Sequence, residues 1–307
     1  MQLFKKRESL TQNIAYMGIM TAINVVAVVL MNYVLPALFI PFMLVLPFAS
    51  TVVTLYCKKI YFPFYLFATV GICLLVTINN ISDTLFYILP SILTGFLFGI
   101  ALTYRLPIIL AIVATALVNV GLTYLSIPII QGIYGQNMIQ VIAKIFGLDT
   151  FVYLDFIVPA FIMAISLIQE TVTYFFIDAE LPKLGVHNEE NQSMVIGDII
   201  GIIASAMVLI CYVTRPAFFS TFALFFIILP IVFAVYDIAL LAFKKDFGAL
   251  IINGIFFLSF VVLFALTYSN IEKPFGIIML AVYLDFVLIF HLIYRLFLIK
   301  NKAETAP

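Results

Sequence analysis

The sequence predicts an all-α, polytopic transmembrane bundle of about ten spans, and three observations carry that expectation. Stretches of about 20 residues recur along the chain almost without charge, and most of its charges lie between them; a hydrocarbon core roughly 30 Å thick needs a helix of that length. Of 307 residues, 65% are hydrophobic and 10% charged, and the mean hydropathy is +1.24, well beyond what the core of a water-soluble domain requires. The apolar runs do not alternate with a period of two, which excludes a membrane barrel and leaves helices, since backbone groups in lipid must be satisfied within their own segment.

In chain order the spans fall near 12–34, 36–57, 60–79, 83–103, 106–128, 151–177, 194–214, 217–243, 248–268 and 275–299. Asn32, Pro36 and Pro41 divide the first two with a tight turn, and Lys58 and Lys59 close the second. Ten crossings that start inside place twelve cations on the cytoplasmic side: Lys5, Lys6, Arg7, Lys58, Lys59, Arg105, Lys183, Lys244, Lys245, Arg295, Lys300 and Lys302. Three, Lys144, Arg215 and Lys273, remain outside. That asymmetry follows the positive-inside rule, and losing any one span would scramble it. Both termini are then cytoplasmic. The first span has the basic prelude of a signal peptide but is too long and lacks a small-residue cleavage site, so it is read as retained.

Two connections are long. The external one, 129–150, sets Met138, Val141, Ile142 and Ile145 on one helical face and Asn137, Gln140 and Lys144 on the other, as a helix lying on the outer leaflet or capping a cavity would. The internal one carries Asp178, Glu180, Glu189 and Glu190 around Pro182, Gly185 and His187. It divides the chain into a six-helix bundle (1–178), a cytoplasmic acidic loop (179–193) and a four-helix C-terminal extension (194–307). No residue-level internal repeat is evident.

Chemistry-bearing motifs are sparse. Cys57, Cys73 and Cys211 have no metal spacing and read as small apolar packing groups. Zero net charge and no basic cluster beyond Lys5 to Arg7 argue against nucleic acid as a partner. HExxH, GxSxG, P-loop and CxxC patterns are absent, so no catalytic residue, metal ligand or cofactor is assigned. The bilayer is the solvent, and small solutes or lipids are the expected partners.

Ionisable groups inside spans are costly, and each is a candidate by default: Glu170, Asp198, Asp237, Asp285 and His291. All but Asp285 lie within about two turns of the cytoplasmic boundary, and Asp285 falls near mid-bilayer. A shared polar pocket and anchoring to Lys244 or Lys245 both account for the four. Asp285 and His291, six apart, face different sides of their helix, whereas His291 and Arg295, at i and i+4, share a face. At the outer ends of the N-terminal helices, Asn32, Tyr33, Asn79, Asn80, Asp83, Tyr134, Gln136 and Asn137 offer amides and phenols suited to a neutral or zwitterionic solute, or simply to wet loops. From these, Asn32, Asn79, Asn80, Asp83, Tyr134 and Asn137 are taken as the ligand-binding set. Ala15, Gly18 and Ala22 line one face of span one, either as an intramolecular seam or as a docking face, with Gly18 and Ala22 as its contact points.

The basic N-terminus, the AxxGxxxA face of span one, the turn at Pro36 and the segment Leu46 to Ser50 leading to a lysine pair give residues 1 to about 178 a resemblance to the substrate-binding (S) subunits of energy-coupling-factor transporters. The whole length resembles most the YybS-type family of bacterial membrane proteins, which is related to those subunits. The resemblance implies a six-helix bundle that binds a vitamin-like solute near its outer face. It also implies docking through Gly18 and Ala22 onto a transmembrane coupling subunit driven by ATPases. The last four spans depart from it.

The leading expectation is therefore a non-enzymatic, S-component-like protein that binds or transports a small solute and is energised by partner subunits. The second is a self-sufficient ten-helix secondary transporter with an intramembrane carboxylate relay, and the third a membrane scaffold or lipid-modifying enzyme.

Overall fold

The structure, a computed structural model, describes residues 6–34, 39–145, 154–180, 194–214, 216–243, 245, 247–267 and 273–304. Among them there is no strand. The N-terminal helices are α1 (Leu10–Val29), α2 (Phe39–Tyr56), α3 (Phe62–Val76), the single turn α4 (Ile81–Asp83), α5 (Leu89–Tyr104), α6 (Ile108–Tyr134) and α7 (Met138–Ile145). They are followed by α8 (Leu154–Glu180), α9 (Met194–Thr214), α10 (Pro216–Phe243), α11 (Phe247–Thr267) and α12 (Lys273–Glu304).

Six segments are long and apolar enough to cross a bilayer: Leu10–Val34, Lys59–Val76, Ile81–Tyr104, Ile108–Tyr134, Val158–Glu180 and Ile278–Phe297. The chain is thus built as a multi-pass membrane protein. Four shorter apolar stretches, Leu46–Tyr56, Val195–Cys211, Phe225–Ala239 and Phe247–Val262, stand where spans two, seven, eight and nine were expected. Their helices run 18, 21, 28 and 21 residues, but the described apolar part of each is shorter than a bilayer. Side chains such as Phe67 and Leu75, exposed by 76% and 71%, leave α3 with an apolar outer face suited to lipid rather than water.

Element boundaries shift for local reasons. Helix α1 starts at Leu10 because Ser9 caps it, its Oγ accepting the Gln12 N–H at 3.2 Å while Gln12 Oε1 accepts the Glu8 N–H at 3.3 Å. Asn32 does not break the helix: Leu30–Val34 widen into a π-helical turn, and the Asn32 amide donates back to the Val28 carbonyl at 3.0 Å. The tight turn expected around Pro36 lies outside the described residues. Helix α6 passes through Pro128, expected as a span end, and stops only at Gly135, whose φ of 67° suits a residue without Cβ. Proline removes one backbone bond, and the flanking turns carry the helix across it. The acidic loop lies outside the described residues beyond Glu180.

The chain divides into two compact units, Met1–Phe146 with Ile165–Gln192, and Gly147–Ala164 with Ser193–Pro307. In unit 1, α5 packs along α2, and the approach is set by two glycines. A Cβ on Gly95 would collide with the Pro47 carbonyl, and one on Gly99 would sit 2.5 Å from Thr54 Cβ. Thr51 Oγ1 donates to the carbonyls of Pro47 and Gly95, each at 2.9 Å, stitching the two backbones together. Polar bonds also tie α1 to its neighbours: Thr21 to Thr69 at 2.8 Å, and the Asn24 amide to Tyr65 Oη at 2.7 Å.

The ends of unit 1 differ chemically. At one, the Arg7 N–H bonds the Tyr56 carbonyl at 2.8 Å, the Lys58 N–H bonds Asn13 Oδ1 at 2.8 Å, and Lys59 Nζ lies 4.1 Å from the Tyr104 ring, beside Arg105. At the other, Tyr33 Oη donates to the Val76 carbonyl at 2.6 Å and the Ile81 N–H donates to Tyr134 Oη at 3.2 Å. Four of the twelve basic residues that the sequence assigned to one membrane face, Arg7, Lys58, Lys59 and Arg105, therefore gather at one end of this bundle.

In unit 2, α9 packs against α10 and α12, and α11 against α10 and α12. The α11–α12 contact is aromatic, with Phe260 and Tyr283 stacked at 4.7 Å and Phe256 edge-on to Phe290 at 5.9 Å.

Candidate functional site

Three of the intramembrane ionisable residues converge within unit 2. Asp198 comes from α9, Asp237 from the last two turns of α10, and His291 and Arg295 from successive turns of α12. Arg295 forks between the carboxylates: Nη1 donates to Asp198 Oδ2 at 2.8 Å and Nη2 to Asp237 Oδ1. Both aspartates are buried, 1% and 3% exposed at their side chains, so the guanidinium compensates charges that water does not reach. His291 Nδ1 faces Asp237 Oδ2 at 3.8 Å, and His291 Nε2 lies 3.3 Å from Asn253 Oδ1 on α11. Asn253 in turn donates its amide to the Ala249 carbonyl at 2.9 Å. Four helices thus contribute to one buried polar group.

The cation that meets the aspartates is Arg295, which the sequence placed on the cytoplasmic face. Lys245 is exposed, and Lys244 lies outside the described residues. The acid–base couple of His291 is made with Asp237, from a neighbouring helix, rather than with Asp285 six residues back. Asp285 is half-buried beside Ser205 of α9, whose Oγ donates to the Ala281 carbonyl at 3.0 Å, and Asp285 Oδ1 has no hydrogen-bond partner. Among the described residues no three His, Cys, Asp or Glu converge as metal ligands.

Glu170 does not join this group in the bonds it makes. It belongs to unit 1, where its Oε1 accepts Thr94 Oγ1 of α5 at 3.1 Å and the Asn119 amide of α6 at 2.9 Å. The carboxyl is 1% exposed and its Oε2 has no partner. Two neutral donors thus serve one oxygen, and the ion-pair partner expected of a buried carboxylate is not part of this arrangement.

Three of the six residues proposed for solute recognition are engaged at helix ends. Asn137 Oδ1 accepts the N–H groups of Ile139 and Gln140 at 3.1 and 3.4 Å, capping α7. Tyr134 receives the Ile81 N–H, and Asn32 bonds its own helix. Asn79 and Asn80 are exposed and Asp83 is half-buried at the same end. The amphipathic α7 appears where the sequence placed it, with Gln140 and Lys144 exposed; the side chains of Ile142 and Ile145 lie outside the described residues.

Among the described residues, no neighbour packs closely on the small-residue face of α1. Ala15, Gly18 and Ala22 are exposed, and nothing lies within 4 Å of where a Gly18 Cβ would sit. The seam that unit 1 uses is Gly95 and Gly99 on α5, a GxxxG spacing legible in the sequence but not singled out. Thr94, Asn119 and Asn253 were likewise missed, because neutral polar residues in a span carry no signal until a charged partner is located. The three cysteines are buried and form no disulfide among the described residues.

The chain matches no family model, no curated protein and no solved structure.

Proposed function

We propose that this protein is a non-enzymatic, S-component-like integral protein of the bacterial cytoplasmic membrane. It crosses ten times with both termini cytoplasmic, binds or transports a small solute, and is energised by a transmembrane coupling subunit and its ATPases. The observation that carries the reading is the bare α1 face of Ala15, Gly18 and Ala22. Lipid tails contact large apolar side chains as well as small ones, so a stripe of small residues gains its value from close approach of another helix backbone. Solute recognition is assigned to Asn79, Asn80 and Asp83, at the end of unit 1 away from its basic residues.

Purification in mild detergent tests this: an ATPase-bearing complex is expected to accompany the chain, and Gly18→Leu or Ala22→Leu should abolish that association while the chain still folds. Recovery of the complex with both variants would remove α1 as its docking face.

A second reading is favoured by the buried Asp198–Arg295–Asp237–His291 group, the arrangement expected of an ion relay in a self-sufficient secondary transporter. Proton-coupled uptake by the purified chain alone in liposomes is its test.

A further inference from the structure

We infer that His291 and Asp237 form a binding site for a single exchangeable proton, held between Nδ1 and Oδ2, with Asn253 fixing the imidazole tautomer and Arg295 as the permanent counter-charge. The inference deepens the relay reading by naming its ion and the atoms that take it.

Hydrogen-bond directions fix the tautomer. The Asn253 amide nitrogen is committed to the Ala249 carbonyl at 2.9 Å, which turns Oδ1 toward His291. Oδ1 can only accept, so the His291 Nε2 that lies 3.3 Å away carries a hydrogen. In the neutral ring Nδ1 is then a bare lone pair. It faces Asp237 Oδ2, which is buried and has no hydrogen-bond partner, at 3.8 Å. Two acceptors face each other across a gap wider than a hydrogen bond, and one proton converts them into a donor and an acceptor.

Charge balance gives the number of protons, and the facing Nδ1 and Oδ2 give their place. Asp198, Asp237 and Arg295 leave one uncompensated negative charge around a neutral imidazole, and one added proton brings the group to zero, as an apolar surrounding favours. The charged groups that act on the ring are Asp237 from α10 and Arg295 from α12, and Asp198 from α9 is joined to them through the Arg295 guanidinium. Helix α11 supplies Asn253 and has no titratable residue between Phe247 and Thr267. Asp285, on the same helix as the ring, lies beside Ser205. A metal ion is a poor alternative, because the Arg295 guanidinium already bridges the two carboxylates. An imidazole lone pair also takes a proton far more readily than it takes sodium.

The test uses the full chain in lipid nanodiscs with ¹⁵N-labelled histidine. The sequence has two histidines, so His187→Gln leaves His291 as the sole imidazole signal. At about pH 8 the ring should be neutral with its hydrogen on Nε2, and at about pH 5 both nitrogens should be protonated. Asp237→Asn should cut the doubly protonated population at about pH 5 by at least about tenfold. Asn253→Leu should release the tautomer, so that an Nδ1–H form appears at about pH 8.

A ring that stays neutral or stays doubly protonated throughout, or that carries its hydrogen on Nδ1 at about pH 8, overturns the site, and these readouts do not depend on the Asp237 or Asn253 variants folding. An unchanged titration in Asp237→Asn overturns it as well. Since no transport is measured, failed uptake with an intact titration removes the transporter reading alone, and coupled uptake without the titration places the relay elsewhere.

Discussion

Arg295 holds two buried carboxylates at once, which makes it the residue whose loss unit 2 tolerates least. Removing one partner of a buried ion group leaves uncompensated charge, at a cost of about 3–5 kcal/mol. Arg295→Met should therefore lower the thermal stability of the detergent-solubilised chain severely, and Arg295→Lys should recover only part of it, because a lysine presents a point charge in place of a fork. Combining Arg295→Met with Asp198→Asn and Asp237→Asn should restore stability over Arg295→Met alone. A triple variant no better than the single one would show that the guanidinium acts through packing. Glu170 poses the neutral counterpart. Glu170→Gln keeps a carbonyl oxygen for Thr94 and Asn119, whereas Glu170→Leu strands both donors, at about 1–3 kcal/mol. The glutamine variant should melt close to the parent and the leucine variant well below it; equal melting would mean that the two donors find other partners.

Helix α5 and helix α1 carry the same kind of small-residue pattern and use it differently. On α5, Gly95 and Gly99 let α2 approach until backbone meets backbone, with Pro47, Ser50 and Thr54 filling the space a side chain would take. Added methyls force the helices apart, a strain of about 1–3 kcal/mol in a packed core. Gly95→Ala and Gly99→Ala should each lower the melting temperature, Gly95 more because it meets a carbonyl rather than a side chain. On α1 an added Cβ meets nothing within 4 Å among the described residues, so Gly18→Leu should leave the melting temperature within about 2 °C of the parent. A Gly18 variant as unstable as those on α5 would mean that α1 packs internally.

At the scale of the whole molecule, the charge distribution states which ends of the helices should face the cytoplasm. Arg7, Lys58, Lys59 and Arg105 belong to segments gathered at one end of unit 1, as expected if that end faces the cytoplasm. Single cysteines introduced at Asn188 and Asn301, in a background lacking Cys57, Cys73 and Cys211, should be labelled only from the cytoplasm, and cysteines at Asn80 and Asn270 only from outside. Labelling of position 188 by an impermeant reagent in intact cells would overturn the arrangement of six spans followed by four.

The sequence by itself determined the class of this protein: long uncharged runs can satisfy their backbones in lipid only as helices, and hydropathy depends on composition along the chain alone. It also delivered most helix boundaries to within a few residues, α9 and α7 among them, and the set of costly buried groups. Partnership was decided only by the tertiary structure. Glu170 is bonded to Thr94 and Asn119, and Asp237 is set against His291 across two helices, because which face of a helix meets which neighbour depends on crossings that no local period encodes. For the same reason only the tertiary structure told the two small-residue faces apart. Gly95 and Gly99 are buried where α2 crosses α5, while Ala15, Gly18 and Ala22 are left bare on α1, since a small residue permits close approach but cannot specify which helix arrives.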